Sequence, residues 1–384
     1  MTFPTVSLGD AVSFKGGGTP DRENTAYWGG SIPWATVKDL NDGFVLRKTQ
    51  ESITSGGLAN SASNLIPAGT VIIPTRMALG KAVITEVDVA INQDLKAAVP
   101  TINIDPRYLL WFFAWSAPTI VSKGKGATVK GITLDQLRRM EIPVPPLVEQ
   151  RRIAAILDVA DEIRVKRRGV ISKLDELLQS AFLDMFGNVA TNPKRWPMKR
   201  LADLGDLDRG VSRHRPRGAP ELLGGNHPLI QTGDVARSGG YIRKFSSTYS
   251  ETGLKQSKKW PAGTLCITIA ANIADTGILT FDACFPDSVV GFTPNSGSNV
   301  EYVQGMLSFL KKILEERAPQ VAQKNINLAI LRELPVPAPP LALQNKWAAL
   351  AIEVERVKQR LAVAEQSGER LFAALLRNAF AGML

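Results

Sequence analysis

Residues 142–150 read IPVPPLVEQ and residues 334–344 read LPVPAPPLALQ, and at both places a globular stretch gives way to a long helical one. The prolines at 143, 145 and 146, and at 335, 337, 339 and 340, can continue neither a strand ladder nor a helix interior. They mark stiff exits. The repetition extends in both directions. Leu8-Gly9-Asp10 recurs as Leu204-Gly205-Asp206, Pro67-Ala68-Gly69-Thr70 as Pro261-Ala262-Gly263-Thr264, and Arg164-Val165-Lys166 as Arg356-Val357-Lys358. A unit of about 194 residues is far too long for a solenoid repeat. The chain is a duplicated module, and two copies of one module suit two sites held at a set separation.

Past each junction the apolar residues step by three and four. They fall at Ile153, Ile156, Ala160, Ile163, Val170, Leu174, Leu177 and Ala181, with Arg167 interrupting. The second copy gives Trp347, Leu350, Val354, Val357, Leu361, Ala364, Leu371 and Leu375, interrupted at Gly368. Heptads kept in register over this length predict a coiled-coil seam. The two helices are expected to pair antiparallel within the chain, with helices of another subunit as a second partner on another face. A helix of 30–40 residues would make a spacer of roughly 45–60 Å. The expected organisation is a first domain over 1–145, a spacer helix over 146–187, a second domain over 188–340 and a terminal helix over 341–384.

Within each globular half, short β-like runs (70–74, 82–87, 264–270, 277–281) are broken by Gly, Pro, Asn and Ser, and 107–116 and 300–317 look helical. Strands and helices mix without regular alternation, so the expected class is α+β. Cys266 and Cys284 lack any paired-cysteine spacing, so no metal site or disulfide framework is expected. Neither a phosphate loop nor a zinc-protease motif is present, and only His214 and His227 are available as histidines. The expected chain has no catalysis and no cofactor of its own. The N-terminus carries no secretory pattern and no run is long enough to span a bilayer, so the expected location is cytoplasmic.

The 46 Lys and Arg against 36 Asp and Glu leave a net charge of +10, which suits a nucleic-acid partner. The densest basic element is residues 209–218, where Arg209, Ser212, Arg213, His214, Arg215 and Arg217 could follow a phosphate backbone or reach guanine edges. Its counterpart is the glycine-rich stretch with Lys15, Thr19 and Arg22. Further candidate DNA contacts are Trp34, Thr36 and Lys38 matched by Gln231 and Thr232, and Lys123, Lys125 and Lys130 matched by Gln323 and Lys324. Arg76, Lys258 and Asn272 complete the set.

Several stretches together resemble the specificity subunits of type I restriction–modification systems: KGGGTPDRENTAYWGGSIPW (15–34), AINQDLKAAVP (90–100), GKGATVKGITLDQLRRMEIPVP (124–145) and the twice-used proline–glutamine junction. The resemblance covers the whole chain. It implies two target-recognition domains, each reading one half of an asymmetric bipartite site in double-stranded DNA. It also implies helices that fix the spacer and dock two modification subunits, which carry the adenine methyltransferase activity and its S-adenosylmethionine. Restriction and translocation subunits are optional further partners. A basic protein-interaction scaffold, or a stand-alone DNA-binding module, is the competing reading.

Overall fold

The computed structural model describes residues 3–40, 43–126, 130–214, 216–269, 275–317 and 327–384. The chain divides into two compact units, residues 1–168 with 363–384, and residues 169–362. Each unit therefore joins one globular body to part of both long helices. The four longest helices are α1 (Pro106–Lys123), α2 (Leu147–Phe186), α3 (Val300–Arg317) and α4 (Leu341–Phe380).

In the first unit a five-stranded sheet runs in the order Val12–Gly16, Leu95–Pro100, Val71–Pro74, Val83–Thr85, Val45–Leu46, antiparallel except for the last pair. A four-stranded sheet orders Glu51–Ile53, Trp28–Ala35, Val89–Ile91 and Leu65–Ile66. The second unit repeats both sheets in the same order. Its larger sheet is Gly205–Arg209, Val289–Pro294, Leu265–Thr268, Thr276–Leu279, Gly240–Ile242, again with only the last pair parallel. Its smaller one is Ser247–Tyr249, Leu223–Leu229, Ala283–Cys284, Lys259–Trp260. The fold is α+β and duplicated strand for strand. Even the turn glycines agree: Gly69 and Gly263 stand at φ 82° and 85°, a conformation that favours glycine.

Three of the prolines expected outside any ladder are corrected: Pro143, Pro335 and Pro337 lie in the short strands Glu141–Pro143 and Pro335–Pro337, which pair antiparallel with Thr5–Ser7 and Met198–Arg200. The rest of the proline–glutamine junction now has a physical cause. Gln150 is 1% exposed, and its amide NH₂ donates to the carbonyls of Pro145 (2.9 Å) and Asn103 (3.1 Å). Its carbonyl accepts from the Asp105 N–H at 2.9 Å, and Asp105 caps α1. Gln344 does the same work in the second unit, donating to Pro339 and accepting from Asn299. One buried amide thus clamps the start of each long helix to the start of the domain's own helix. Beside it, Tyr108 and Tyr302 each donate to a proline carbonyl, Pro143 and Pro337, at 2.8 Å. Burial pushes both phenols well above their ordinary range.

The long helices pair antiparallel. In the first unit Arg164 meets Glu369 and Arg168 meets Glu365; in the second Lys358 meets Asp175. The partner number falls as the first rises, as antiparallel pairing requires. The inward residues of α2 are Ile153, Leu157, Ala160, Arg164 and Arg167 in the first unit, and Ile171, Leu174, Leu178 and Ala181 in the second. Four expected seam positions are corrected by one residue. Ile156 gives way to Leu157, Ile163 to Arg164, Val170 to Ile171 and Leu177 to Leu178. Ile163, Val170 and Leu177 are 45%, 42% and 50% exposed. In α4, Leu371 is 62% exposed and Phe372 is buried in its place. Trp347 and Val354 are buried, and Leu350, Val357 and Leu361 are half-buried.

The reason for the shift is Arg164, a charged residue that apolar counting passes over. Its guanidinium makes a fork to both Glu369 oxygens (2.6 and 2.9 Å), bonds Asp161 at 2.8 Å and lies 4.1 Å from the Phe372 ring. The two interruptions also explain each other. A side chain at Gly368 would lie 3.0 Å from the Arg167 guanidinium, so the glycine gives the arginine room.

The ends of the helices belong to the domain cores. Ile153, Leu157, Phe372 and Phe380 pack with Tyr108, Trp111 and Phe112 in the first unit. Phe182, Phe186 and Trp347 pack with Tyr302 and Met306 in the second. Because Ile153 and Trp347 serve these cores, they are domain anchors as much as seam residues. None of the described helices is long and apolar enough to cross a membrane.

Two stability tests follow. Gln150→Ala strands the buried Asp105 N–H and the Pro145 carbonyl, and should lower stability by about 2–4 kcal/mol in urea unfolding; Gln344→Ala should act alike on the other unit. Glu369→Gln tests the seam. Hydrogen bonding from Arg164, then its charge and that of Arg168, holds the Glu369 carboxyl below the usual carboxylate range. That stabilisation is present above the unfolded value near ~4.3 and is lost as pH falls through the lower folded value. The variant should lose about 1 kcal/mol at pH 7, discounted for exposure, and match the parent in strong acid.

Candidate nucleic-acid interface

In the first unit a cleft of 740 Å³ opens between the two sheets' loops and gathers Thr19, Arg22, Thr36, Lys38, Gln50 and Met77 on its walls, with Gln93 beside Thr19. Two segments far apart in sequence meet because the strand Trp28–Ala35 lies parallel to Val89–Ile91, so residues 36–38 and 92–93 leave the sheet side by side. Asp39 organises the rim. Its carboxylate accepts from the Thr36 N–H and hydroxyl (2.8 and 2.9 Å) and from the Gln50 N–H (2.8 Å).

Trp34 requires a correction. It is 1% exposed, and its indole N–H donates to the Gly18 carbonyl (3.1 Å) and the Ser63 hydroxyl (3.2 Å). It forms the floor of the cleft and has no polar edge to offer a base. Arg22 lies over Trp28 (3.9 Å) and Trp34 (5.0 Å) and forks onto both Glu51 oxygens at 2.5 and 3.0 Å. The arginine holds the Glu51 carboxyl below its usual range. Arg22 is on the cleft wall, but one face of its guanidinium fork is already committed to Glu51.

Lys15 is exposed on the strand Val12–Gly16, away from the residues that line the cleft. Arg76 and Lys125 both bridge to Gly131, and the Met77 N–H donates to the Lys130 carbonyl at 3.1 Å. These contacts bring exposed Arg76, Lys125 and Lys130 together beside Met77, which makes a basic flank to the cleft. Lys123 is exposed in the last turn of α1.

In the second unit, Gln256 pins the basic loop by accepting from the N–H groups of Arg213 (2.6 Å) and His214 (3.0 Å). Arg217 pairs with Asp287, His214 lies 3.7 Å from Glu221, and Ser212 is 6% exposed within a bridge to Ser257. Ser212 is thus corrected to a framework position, since so little of it is open to a ligand. Arg209 is exposed at the end of its strand and lines a 470 Å³ hollow with Asn327 and Arg332. Gln231 is exposed and Thr232 half-exposed at the start of a short helix, whose Asp234 accepts the Gln231 N–H at 2.9 Å. Lys258 lies 3.8 Å from the Trp260 ring and shares Asp208 with Arg332. Arg215, Asn272, Gln323 and Lys324 lie outside the described residues.

The two units place chemically different loops at the same topological points. A family model for the type I restriction modification DNA specificity domain matches residues 2–175 and again residues 193–354. The chain belongs to that family. It is 27% identical over 224 residues to the type I restriction enzyme MjaIX specificity subunit of Methanocaldococcus jannaschii, covering 52% of this chain and 51% of that protein. It is 33% identical over 164 residues to the EcoR124I/EcoR124II specificity subunit of Escherichia coli, covering 41% and 40%. The chain thus spans about half the length, or less, of these curated relatives.

The S subunit of a type I restriction–modification system from M. genitalium superposes with a TM-score of 0.64 at 15% identity, over 99% of this chain and 96% of that one. A chain from work on complex assembly and conformational transition of the type I R-M system gives 0.63 at 19% identity, over 100% and 98%. At these identities the likeness bears on the fold alone. It agrees with two domains and long helices.

Gln50, Met77 and Gln93 were not among the residues expected at the site. Gln93 could have been found in the run Asn92-Gln93-Asp94, a polar turn between two apolar stretches. Met77 shows itself only in three dimensions, as a residue at φ 64° with 59% exposure. If Trp34 is a floor and Lys38 a wall, the two should separate experimentally. Trp34→Phe should lower stability by roughly 1–3 kcal/mol, because the buried Ser63 hydroxyl loses its donor and the Gly18 carbonyl keeps only its 2.6 Å bond from Ser63. Lys38→Ala should leave the unfolding midpoint within about 0.5 kcal/mol while weakening DNA binding.

Proposed function

We propose that this chain is the DNA-reading subunit of a type I restriction–modification complex. Each globular domain reads one half of an asymmetric bipartite site, and the paired helices fix the gap between the halves. The observation that carries this reading is the strand-for-strand duplication bearing unlike loops. A shared framework holds each reader in the same way, while the loops set what each one reads. The basic flank at Arg76, Lys125 and Lys130 and the loop residues Arg209 and Arg213 supply phosphate contacts, which position a protein on the duplex without specifying sequence.

The apolar residues one place off the seam support docking of other subunits. Ile156, Ile163, Val170 and Leu177 hold a single heptad position along α2, and the last three are exposed. Modification subunits, two per chain, would cover such a stripe and bring the adenine methyltransferase chemistry and S-adenosylmethionine. This chain supplies recognition and no catalysis. Restriction and translocation subunits would add to that core, and the cytoplasm, where the DNA lies, is its place of work.

The test is co-expression with an adenine-methylating modification subunit, followed by mapping of the methylated positions. A split motif with a fixed gap is the expected product. DNA affinity of the complex should fall by roughly 0.9 log units per log unit of salt for each phosphate neutralised. A stable complex that methylates without a motif, or one indifferent to salt, would favour the protein scaffold.

A further inference from the structure

We infer that Gln93, held in place by Thr19, reads an adenine through the major groove in the half-site bound by the first domain. The inference rests on the DNA-reading role proposed above and adds a named residue and a named base.

The first argument is mounting. Gln93 is exposed, but the turn that carries it is fixed from every side. The Asn92 N–H donates to the Ala35 carbonyl (3.0 Å), the Asp94 N–H to the Asn92 side chain (3.1 Å), and the Thr75 N–H to the Asp94 carbonyl (2.8 Å). Lys96 reaches back to the Gln93 carbonyl at 2.6 Å. Leu95, two residues on, is fully buried. A side chain on so rigid a base points with little freedom, as precise recognition requires.

The second argument is the buttress. The Thr19 hydroxyl donates to the side-chain oxygen of Gln93 at 2.5 Å. Thr19 arrives there because Gly17 and Gly18 lie flush against the neighbouring strand. The Gly18 N–H donates to the Ile91 carbonyl at 3.0 Å, and a Cβ at Gly17 would stand 1.9 Å from that same oxygen. The glycine-rich stretch therefore serves to seat Thr19, which makes Thr19 a positioning residue.

The third argument is chemistry. A carbonyl oxygen has two lone pairs, so one remains open after the Thr19 bond, and among the described residues the Gln93 side-chain nitrogen has no partner. One open acceptor beside one open donor pair matches the adenine edge, with its N6–H₂ donor and N7 acceptor. Guanine offers two acceptors there, cytosine a donor alone. The cation best shaped for guanine, Arg22, is already forked onto Glu51.

The experiment uses the full chain assembled with a co-expressed modification subunit. Motif mapping and DNA binding are compared for the parent, Gln93→Ala, Gln93→Glu and Thr19→Val. Gln93→Ala should cut discrimination at one adenine of one half-site by roughly 5- to 150-fold, leaving the other half-site unchanged. Gln93→Glu, with acceptors only, should move the preference there toward cytosine. Thr19→Val should weaken the same position in part. Replacing that adenine by 7-deazaadenine removes N7, and should weaken the parent but not Gln93→Ala. Unchanged motifs in both Gln93 variants, or an equal loss at every position, overturn the inference. A parent complex that selects no bipartite motif instead sinks the DNA-reading proposal beneath it.

Discussion

The buried amides of Gln150 and Gln344 are the constraint on which the remaining architecture depends. Each donates to a proline carbonyl of the exit, Pro145 or Pro339, and each accepts the N–H at the cap of the neighbouring helix. A proline-rich exit lacks the N–H donors that would tie it to a ladder or helix, so its carbonyls need side-chain partners and its continuation needs a brace. A single amide, fully out of water, removes both problems, because leaving any of its partners unpaired there costs more than a surface hydrogen bond is worth. The direction in which α2 and α4 leave their domains follows from this clamp. So does the seam, since Ile153 and Trp347 fall one helical turn beyond the glutamines and are drawn into the domain cores.

Much of this could be read directly from the amino acids. The duplication was visible in short strings such as the PAGT turns, because a turn at φ above 80° admits few residues besides glycine and so repeats its letters. The two helices were visible in heptads, and their antiparallel pairing in the globular stretch that separates them along the chain. The register was not. Apolar counting chose Ile163 over Arg164 because a guanidinium is costly to bury. Nothing local shows that Glu369, 205 residues away, meets it with both oxygens while Phe372 covers its face. Charged residues that pair across a seam are invisible to any measure of one helix alone. The same applies to Arg167 and Gly368, which each look like a break until they are set opposite one another.

The site was legible by region but not by side chain. Residues 19–38 supply about half of the cleft's lining, while Lys15 stands apart from it. Yet Trp34 forms its floor, because an indole that finds two acceptors is more stable buried than exposed. Gln93 escaped notice because it lies 74 residues from Thr19, and only the seating of Gly17 and Gly18 against the strand Val89–Ile91 brings the two together. Composition identified basic residues well, but basicity and recognition are different properties. A phosphate contact needs charge, which composition displays. A base contact needs a donor and an acceptor at a fixed spacing, which only the fold supplies.

That distinction bears on the net charge of +10. Several cations singled out for DNA already face carboxylates: Arg22 with Glu51, Arg217 with Asp287, and Lys258 with Asp208. For these to grip a phosphate, the carboxylate must be released or must share the cation, and the cost offsets much of the gain. The exposed cations beside Met77 start without that burden: Arg76, Lys125 and Lys130 form none of the salt bridges found among the described residues. Binding strength should therefore concentrate on a few positions at the margin of the cleft, while the paired cations hold loops in shape. Under the proposed DNA-reading role, such an arrangement would keep affinity and specificity on different residues. The loops could then change what they recognise without changing how firmly the domain holds the duplex.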